Sequence, residues 1–332
     1  MTTFAPYAMV LDAPKTPLRR RTLTLRALGA GEVRLRVVAC GVCRTDLHVI
    51  DGELPGARSP IVPGHEIVGV VEAAGDDVAL PVGDRVGVPW LGHTCGACRY
   101  CGAHEENRGD HAEFTGYTRD GGFATHVIAD AAYCFPIPKT LGDVEAAPLL
   151  CAGLIGYRSY RMVPASAKTI GLVGFGAAAH ILAQVAAHDG KRVFAFTRGG
   201  DVEAQRFARS LGVAWAGSSD DAPPEGLDAV VILAPIGALV PKALAWTNKG
   251  GVVVCGGIHM SDIPSFPYSL LWGERVVRSV ANLTRDDGVR LERAAHIPVH
   301  TSTTRYALSD ANRALDDLRH GRFTGAAVLV PE

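Results

Sequence analysis

Cysteine and histidine residues that could bind a metal ion occur at three places in the first half of the chain. They are Cys43 in the segment Cys40-Gly-Val-Cys43, His65 followed by Glu66, and Cys151. Taken singly, a buried cysteine is more often a small packing residue than a ligand, and a lone histidine is more often structural. Taken together they favour a zinc site. A zinc ion with one open position makes a bound water or alcohol more acidic, which is the chemistry that we expect here.

On these residues the sequence resembles the zinc-containing alcohol dehydrogenases of the medium-chain dehydrogenase/reductase superfamily, over essentially the whole chain. The resemblance implies that Cys43, His65 and Cys151 are the catalytic zinc ligands. It also implies that Glu66 belongs to the metal site and that Asp46 orients His65. Cys40 is then expected to be a packing residue.

The same resemblance assigns a proton relay and a pocket residue. A hydroxyl two residues beyond the first zinc cysteine passes the proton of the alcohol towards an imidazole, and Thr45 and His48 occupy these places. Histidine suits this role because its ordinary pKa lies near neutrality. Trp90 is expected to line the alcohol pocket and to favour small or flat substrates.

Three further cysteines form a second, incomplete motif. Cys95, Cys98 and Cys101 are spaced at two-residue intervals, as in a loop around a structural zinc. Relatives have a fourth cysteine shortly after a Glu-Asn pair, where this chain has Gly109. Either Asp110, His104 or His111 replaces the missing ligand, or the site binds zinc weakly or not at all.

A glycine-rich turn predicts a dinucleotide site. The segment Gly171-Leu-Val-Gly174-Phe-Gly176-Ala-Ala-Ala179 follows an apolar strand and opens a helix. Gly174 permits the tight turn, Gly176 allows the backbone to approach a pyrophosphate, and Ala179 keeps the helix close to the strand.

The next strand ends in Thr197-Arg198, where an acidic residue would hold the ribose of NAD. Because a guanidinium pairs with phosphate, this dipeptide favours NADP, while the nearby Asp201 leaves NAD open. Further cofactor contacts are expected at Ala234, Gly257, Ile258 and Arg285.

The elements that must position these residues change character near Val144. Valine-rich segments with glycine and proline between them predict a β-rich first part, whereas alternating strands and helices predict a parallel sheet in the second. Glu145–Tyr160 is predicted to be one helix. The expected fold is α/β: a GroES-like catalytic domain from residues 1–145 and 290–332, and a Rossmann domain, doubly wound, from residues 146–289.

Composition limits the possible partners. The 332 residues are 48% hydrophobic and 20% charged, with a formal net charge of −1, so neither disorder nor a nucleic-acid or membrane partner is predicted. The amino-terminal segment lacks the pattern of a secretory signal, and we expect a cytoplasmic protein. Small alcohols and aldehydes are the expected substrates, and the resemblance implies a homodimer or homotetramer.

Two other functions remain open at the level of the sequence. One is a zinc-free quinone or enone reductase of the same superfamily, which would lack the metal ligands. The other is a non-catalytic zinc protein or redox sensor on a dehydrogenase fold, which the incomplete second motif suggests. Cys43, His65 and Cys151 argue against the first, and Thr45 with His48 argues against the second.

Overall fold

The computed structural model describes residues 5–291, 296, 297 and 299–332. These form two compact units. The first contains the described residues of Met1–Leu154, Asn282–His296 and His300–Glu332, and the second those of Ile155–Ala281 and Ile297–Val299.

The strands are numbered in chain order: β1 (Tyr7–Val10), β2 (Arg19–Thr22), β3 (Glu32–Val42), β4 (Glu66–Ala74), β5 (Arg85–Val88), β6 (Leu91–His93), β7 (Glu113–Phe114), β8 (His126–Asp130), β9 (Phe135–Pro136), β10 (Thr169–Val173), β11 (Arg192–Thr197), β12 (Trp215–Ser218), β13 (Leu227–Ile232), β14 (Thr247–Cys255), β15 (Val276–Ser279), β16 (Thr303–Ala307) and β17 (Ala326–Val330). The helices are α1 (Arg44–Ile50), α2 (Arg99–Gly102), α3 (Asp143–Ala146), α4 (Ala152–Arg161), α5 (Ala177–His188), α6 (Val202–Ser210), α7 (Leu239–Trp246), α8 (Tyr268–Leu271), α9 (Arg285–Val289) and α10 (Ala311–Arg319).

The first unit is built on a mostly antiparallel sheet. Its strands lie in the order β16, β17, β3, β4, β5, β9, and β8 also pairs with β3. Alternate residues of the long strand β3, such as Val33, Leu35 and Val37, are buried, as expected for a strand with one face on a core. Two smaller ribbons, β1 with β2 and β6 with β7, complete the unit in the part of the chain that the structure describes.

The second unit contains the predicted doubly wound sheet. Its strands lie in the order β12, β11, β10, β13, β14, β15, and every neighbouring pair is parallel. Because the first strand lies in the middle, the order reverses between β10 and β13, which is where such sheets bind nucleotides. Ile170, Leu172 and Val231 are fully buried, as expected for strands covered on both faces.

The single helix predicted over Glu145–Tyr160 is wrong in one respect. The segment forms α3, then a 3₁₀ turn over Ala147–Leu150, and then α4, with a break at Cys151. Pro148 lies in the first turn of the 3₁₀ segment and has no backbone N–H to continue an α-helix. Among the described residues, no helix is both long and apolar enough to cross a membrane.

Candidate active site

Asp46 connects the two chain segments that carry Cys43 and His65. Cys43 is the N-cap of α1, and its backbone N–H donates to Oδ2 of Asp46 at 2.9 Å. The other carboxylate oxygen accepts the backbone N–H of Gly64 at 3.1 Å and lies 3.2 Å from Nδ1 of His65. Since Asp46 is 1% exposed, these contacts fix the cysteine and the histidine from within the core.

Two glycines allow the chain to pack closely around His65 and Glu66. Gly64 has φ +95°, and a Cβ on it would lie 2.4 Å from a ring carbon of Phe123. Gly41 is paired with Glu66 across β3 and β4, and a Cβ there would lie 1.7 Å from Oε2 of Glu66. Neither position has room for a side chain.

The helix break places the Cys151 thiol 3.9 Å from Sγ of Cys43. Cys151 has φ −126° and ψ −69°, so it interrupts the helical hydrogen bonding between the 3₁₀ turn and α4. The next residue, Ala152, donates its backbone N–H to Glu66. The break therefore places a thiol next to Cys43 and a backbone N–H donor next to Glu66.

Ligand atoms of Cys43, His65, Glu66 and Cys151 all lie within 4.8 Å of one another. Zinc–sulphur bonds of about 2.3 Å in a tetrahedron place two sulphurs about 3.8 Å apart, close to the Cys43–Cys151 separation of 3.9 Å. Nε2 of His65 is 3.1 Å from Sγ of Cys43, so this nitrogen faces the thiols while Nδ1 faces Asp46. The donor set suits zinc.

The electrostatics of the cluster favour a cation. The hydrogen bond from the Cys151 thiol, with help from His65, holds the pKa of Cys43 well below its ordinary value, against the effect of burial. Burial and the neighbouring Cys43 raise the pKa of Glu66. Buried anionic donors that repel one another are the environment in which a bound cation is stabilised.

The predicted relay residues lie on α1, next to the cluster in sequence. Thr45 is half-buried, and its backbone N–H donates to Sγ of Cys43 at 3.3 Å. His48 is buried, and its Nδ1 makes a short hydrogen bond to Oε2 of Glu53. Sequence reasoning missed Glu53, although an acidic residue five positions after the histidine was a signal that could have been used.

Trp90 is buried and contacts His65 edge-on, with ring centroids 5.0 Å apart. It also stacks on Phe114 and on Tyr117, each with a centroid distance of 5.4 Å and an interplanar angle of 22°. Phe114 and Tyr117 were not predicted from the sequence, because contacts between distant loops leave no local pattern.

The glycine-rich turn allows a close backbone approach and leaves space at the start of α5. Gly174 has φ +91°, and a Cβ on it would lie 2.8 Å from the backbone nitrogen of Ala234. Gly176 is the N-cap of α5, and a Cβ there would have no atom within 4 Å among the described residues. Ala179 is fully buried, so the helix packs closely on the sheet. Open space therefore lies at the positive end of α5.

The residues at the end of β11 and in the turn that follows it differ in exposure and in hydrogen bonding. Thr197 is buried, and its hydroxyl lies 3.3 Å from the carbonyl of Gly217 and 3.2 Å from Nε2 of Gln205. Arg198 is exposed. Asp201 caps α6, and its carboxylate accepts the backbone N–H of Ala204 at 3.0 Å.

The other predicted cofactor residues lie at the ends of strands or on a separate helix. Ala234 follows β13, and Gly257 and Ile258 follow β14, with Ile258 half exposed. Arg285 begins α9 in the first unit, where its Nε donates to the carbonyl of Ala132 at 3.1 Å.

Comparison with known proteins gives the family. Residues 29–139 match the alcohol dehydrogenase GroES-like domain. The chain is 44% identical over 323 residues to the probable alcohol dehydrogenase AdhA of Mycobacterium tuberculosis (strain CDC 1551 / Oshkosh), covering 95% of this chain and 93% of that protein. This chain belongs to the zinc-dependent alcohol dehydrogenases.

Further members of the family are similar over nearly their full length. An alcohol dehydrogenase of Geobacillus stearothermophilus is 34% identical over 334 residues, covering 97% of this chain and 98% of that protein. The cobalt- and zinc-bound thermostable alcohol dehydrogenase of Pyrobaculum aerophilum has 25% sequence identity and a TM-score of 0.87, covering 98% of this chain and 99% of that one. The predicted combination of a GroES-like and a Rossmann domain, and the predicted family, are confirmed.

The three cysteines of the second motif also lie close together in this alcohol dehydrogenase. Thiols of Cys95, Cys98 and Cys101 lie within 4.8 Å of one another, and no other Cys, His, Asp or Glu of the described residues joins this group. Hydrogen bonds lower the pKa of Cys98 to about 6, the largest effect coming from the backbone N–H of Cys101. His104, Asp110 and His111 do not complete the set in this structure.

Proposed function

We propose that this chain catalyses reversible hydride transfer between a primary or aromatic alcohol and NADP, at a zinc ion held by Cys43, His65 and Cys151. The observation that carries the proposal is the convergence of these three donors and Glu66 within 4.8 Å. Membership of the family supports it, as does the zinc named for the related Pyrobaculum enzyme.

Zinc at this site would supply the positive charge that favours the deprotonated form of an alcohol and polarises a carbonyl. The protein's own task is to present three donors and leave room for the substrate oxygen. Asp46 would hold the ring of His65 so that Nε2 points to the metal. Glu66 has its carboxylate in the group, beside the three proposed ligands.

Thr45 and His48 would carry the alcohol proton away from the site. The hydroxyl of Thr45 accepts the proton from the substrate and passes its own proton on towards the imidazole of His48. Glu53 contacts Nδ1 of His48 and would fix the orientation of the ring. This arrangement supports a catalytic role and disfavours a non-catalytic zinc or redox-sensing protein.

The aromatic group of Trp90, Phe114 and Tyr117 supports a preference for small or flat substrates. Trp90 packs on His65 and is held by stacking on both other rings, so it is rigid next to the proposed metal position. Rigid aromatic walls accept planar groups at little entropic cost.

The turn after β11 supports NADP over NAD. Asp201 uses its carboxylate as a helix cap, whereas Arg198 is exposed and can pair with a phosphate. We propose that the turn formed by Gly174, Gly176 and Ala179 binds the pyrophosphate of the cofactor. The remaining cofactor contacts that we propose are Thr197, Ala234, Gly257, Ile258 and Arg285.

The limits of the functional domains, the assembly and the location are further proposals. We propose a catalytic domain of residues 1–145 and 290–332 and a cofactor-binding domain of residues 146–289, with Cys151 as the one zinc ligand that comes from the second range. A homodimer or homotetramer in the cytoplasm is the assembly that we propose.

A matched pair of variants at Thr45 tests the proposed chemistry. Thr45→Val removes the hydroxyl and keeps the shape, while Thr45→Ser keeps the hydroxyl. We expect kcat/KM for alcohol oxidation, followed by absorbance at 340 nm, to fall about 100-fold or more in the valine variant. Thr45→Ser should stay near the unmodified enzyme. Equal activity of the two variants would contradict the relay, and no turnover by the unmodified enzyme on any alcohol would favour the reductase or sensor alternatives.

A further inference from the structure

The lobe around Cys95, Cys98 and Cys101 has sulphur positions suited to a metal. Sγ of Cys101 lies 3.6 Å from that of Cys98 and 4.0 Å from that of Cys95. These separations bracket the sulphur–sulphur distance of about 3.8 Å in a tetrahedral zinc–thiolate site, and they far exceed the length of about 2.05 Å of a disulfide. Two of the three sulphur–sulphur separations therefore fit a zinc tetrahedron, and the third, between Cys95 and Cys98, is within 4.8 Å.

Backbone groups support these thiols as ligands. Cys98 accepts the backbone N–H groups of Tyr100, Cys101 and Asp110, and Cys101 accepts that of Gly96. Donors of this kind stabilise the negative charge of a metal-bound sulphur and fix its position. Asp110 thus contributes its backbone to Cys98 rather than its carboxylate to a metal.

No further Cys, His, Asp or Glu side chain of the residues that the structure describes lies at the fourth corner. A Cβ on Gly109 would lie 3.7 Å from Sγ of Cys101, so a cysteine at this position would reach the cluster. The backbone of Gly109, with φ −58° and ψ 138°, can be adopted by any residue. Glycine is therefore not required here by conformation, and its effect is to leave a coordination position open.

Neighbouring residues do not fill that position. The side chain of His104 is 89% exposed and lies near Glu106, and His111 is also exposed. Cys95 is exposed and Cys98 is half-buried, so solvent reaches the cluster.

We propose that this lobe binds zinc through Cys95, Cys98 and Cys101 alone, with a fourth position open to a small exogenous donor such as water or a thiol. The site is distinct from the proposed catalytic zinc. Structural zinc sites are normally closed by four protein ligands. Zinc held by three protein ligands should leave more readily than zinc held by four, because a chelator can bind at the open position unless another donor fills it.

The test measures zinc release rather than activity. Purified enzyme is saturated with zinc, and release to a chromogenic chelator is followed for the unmodified protein, Gly109→Cys and Gly109→Ala. Cys98→Ser identifies the phase that belongs to this lobe. Gly109→Ala is the matched control, because it places the same Cβ 3.0 Å from the carbonyl of Glu106 without adding a ligand.

We expect the lobe zinc to leave the unmodified protein and Gly109→Ala at least about tenfold faster than Gly109→Cys, since loss of even an indirect partner weakens zinc binding 10–100-fold. Added 2-mercaptoethanol should slow release from the unmodified protein and leave Gly109→Cys unchanged.

Two results would overturn the proposal. One is a release rate of the lobe zinc that is the same in the unmodified protein and in Gly109→Cys and does not change with 2-mercaptoethanol. This result would mean that another residue closes the site. The other is a lobe that takes up no zinc in the unmodified protein at saturating metal. Gly109→Cys is not needed if it fails to fold. The release phase of the unmodified protein that is lost in Cys98→Ser then belongs to the lobe zinc. Slower release in this phase on addition of 2-mercaptoethanol supports the open position, and an unchanged rate overturns the proposal.

Discussion

At the scale of single residues, the choice of cofactor depends on the charges in the turn between β11 and α6. Arg198 is exposed there, whereas Asp201 is held by Ala204 at the start of the helix. A hydrogen bond between charged groups contributes about 1.5–3 kcal/mol, which corresponds to a roughly 10–100-fold effect on binding.

We predict that Arg198→Gln raises KM for NADP(H) about 10–100-fold and changes KM for NAD(H) little, because only NADP carries the extra phosphate. Steady-state kinetics with both cofactors measure the change. Arg206→Gln is the matched control, since Arg206 is exposed on α6, the helix that follows this turn, and pairs with Glu203. An equal change for both cofactors would contradict the assignment of Arg198.

Residue types and spacing predicted that Cys43, His65 and Cys151 belong to one group, and the structure brings them together with Glu66. The role of Thr197 was harder to predict. In the structure its hydroxyl lies near the carbonyl of Gly217 and the amide of Gln205. A sequence does not show which way a residue at a strand end points, because the side chain direction depends on the register of the whole sheet.

At the scale of elements, the close approach of β3 and β4 controls the position of Glu66. Gly41 is the residue that permits it. We predict that Gly41→Ala displaces the Glu66 carboxylate and lowers kcat for alcohol oxidation, because a Cβ at this position would lie 1.7 Å from Oε2. Zinc release measured on the same preparation reports whether the ligand group is disturbed.

Gly102→Ala is the control for this substitution. A Cβ on Gly102 would have no atom within 4 Å among the described residues, so the variant should retain both kcat and the zinc of the catalytic group. If Gly41→Ala and Gly102→Ala behave alike, Glu66 does not depend on the space left by Gly41.

The beginning of β3 is fixed by an ion pair that gives stability a pH dependence. Arg26 donates to both carboxylate oxygens of Glu32 at 2.6 and 2.7 Å, and Gly29 donates its backbone N–H at 2.8 Å. These contacts, first of all that from Arg26, lower the pKa of Glu32 from 4.5 to about 2. A carboxyl whose pKa is lowered on folding stabilises the protein above its unfolded pKa, and this contribution is lost as the pH falls.

We predict that Glu32→Gln lowers the free energy of unfolding at pH 7 by about 0.2–1 kcal/mol, the range for a solvent-accessible pair. The difference from the unmodified protein should narrow as the pH falls from 4.5 towards 2, because the carboxylate then becomes protonated in the unmodified protein. Urea unfolding over this range measures it. A difference that is constant or grows on acidification would contradict the role of the ion pair.

Element positions were predictable where the pattern was local. The strand before the glycine-rich turn and the helix after it were predicted from their apolar patterns, and they are β10 and α5 in the structure. The break at Cys151 was not predictable in this way. It depends on Pro148 and on the contact with Cys43, and helix propensity reports neither tertiary contact nor metal geometry.

At the scale of the whole molecule, the chain divides its chemistry between two units. The zinc ligand group lies entirely in the first, and the glycine-rich turn lies in the second. The parallel sheet of the second unit was predictable from the alternation of strands and helices along the chain. Assembly could not be predicted, because the surface pattern of one chain does not identify which edge a second copy would cover.

The central claim is that Cys43 is a ligand of a catalytic zinc, and the most direct measurement compares Cys43→Ala with Cys40→Ala. Cys40 lies three residues earlier and is buried against Gly64 and Gly122, so it controls for loss of a nearby buried thiol. For each variant, zinc per chain is measured by mass spectrometry and turnover by absorbance at 340 nm. We predict that Cys43→Ala loses one zinc per chain and all detectable turnover, while Cys40→Ala keeps both. Retention of zinc and turnover in Cys43→Ala would contradict the assignment of the catalytic site.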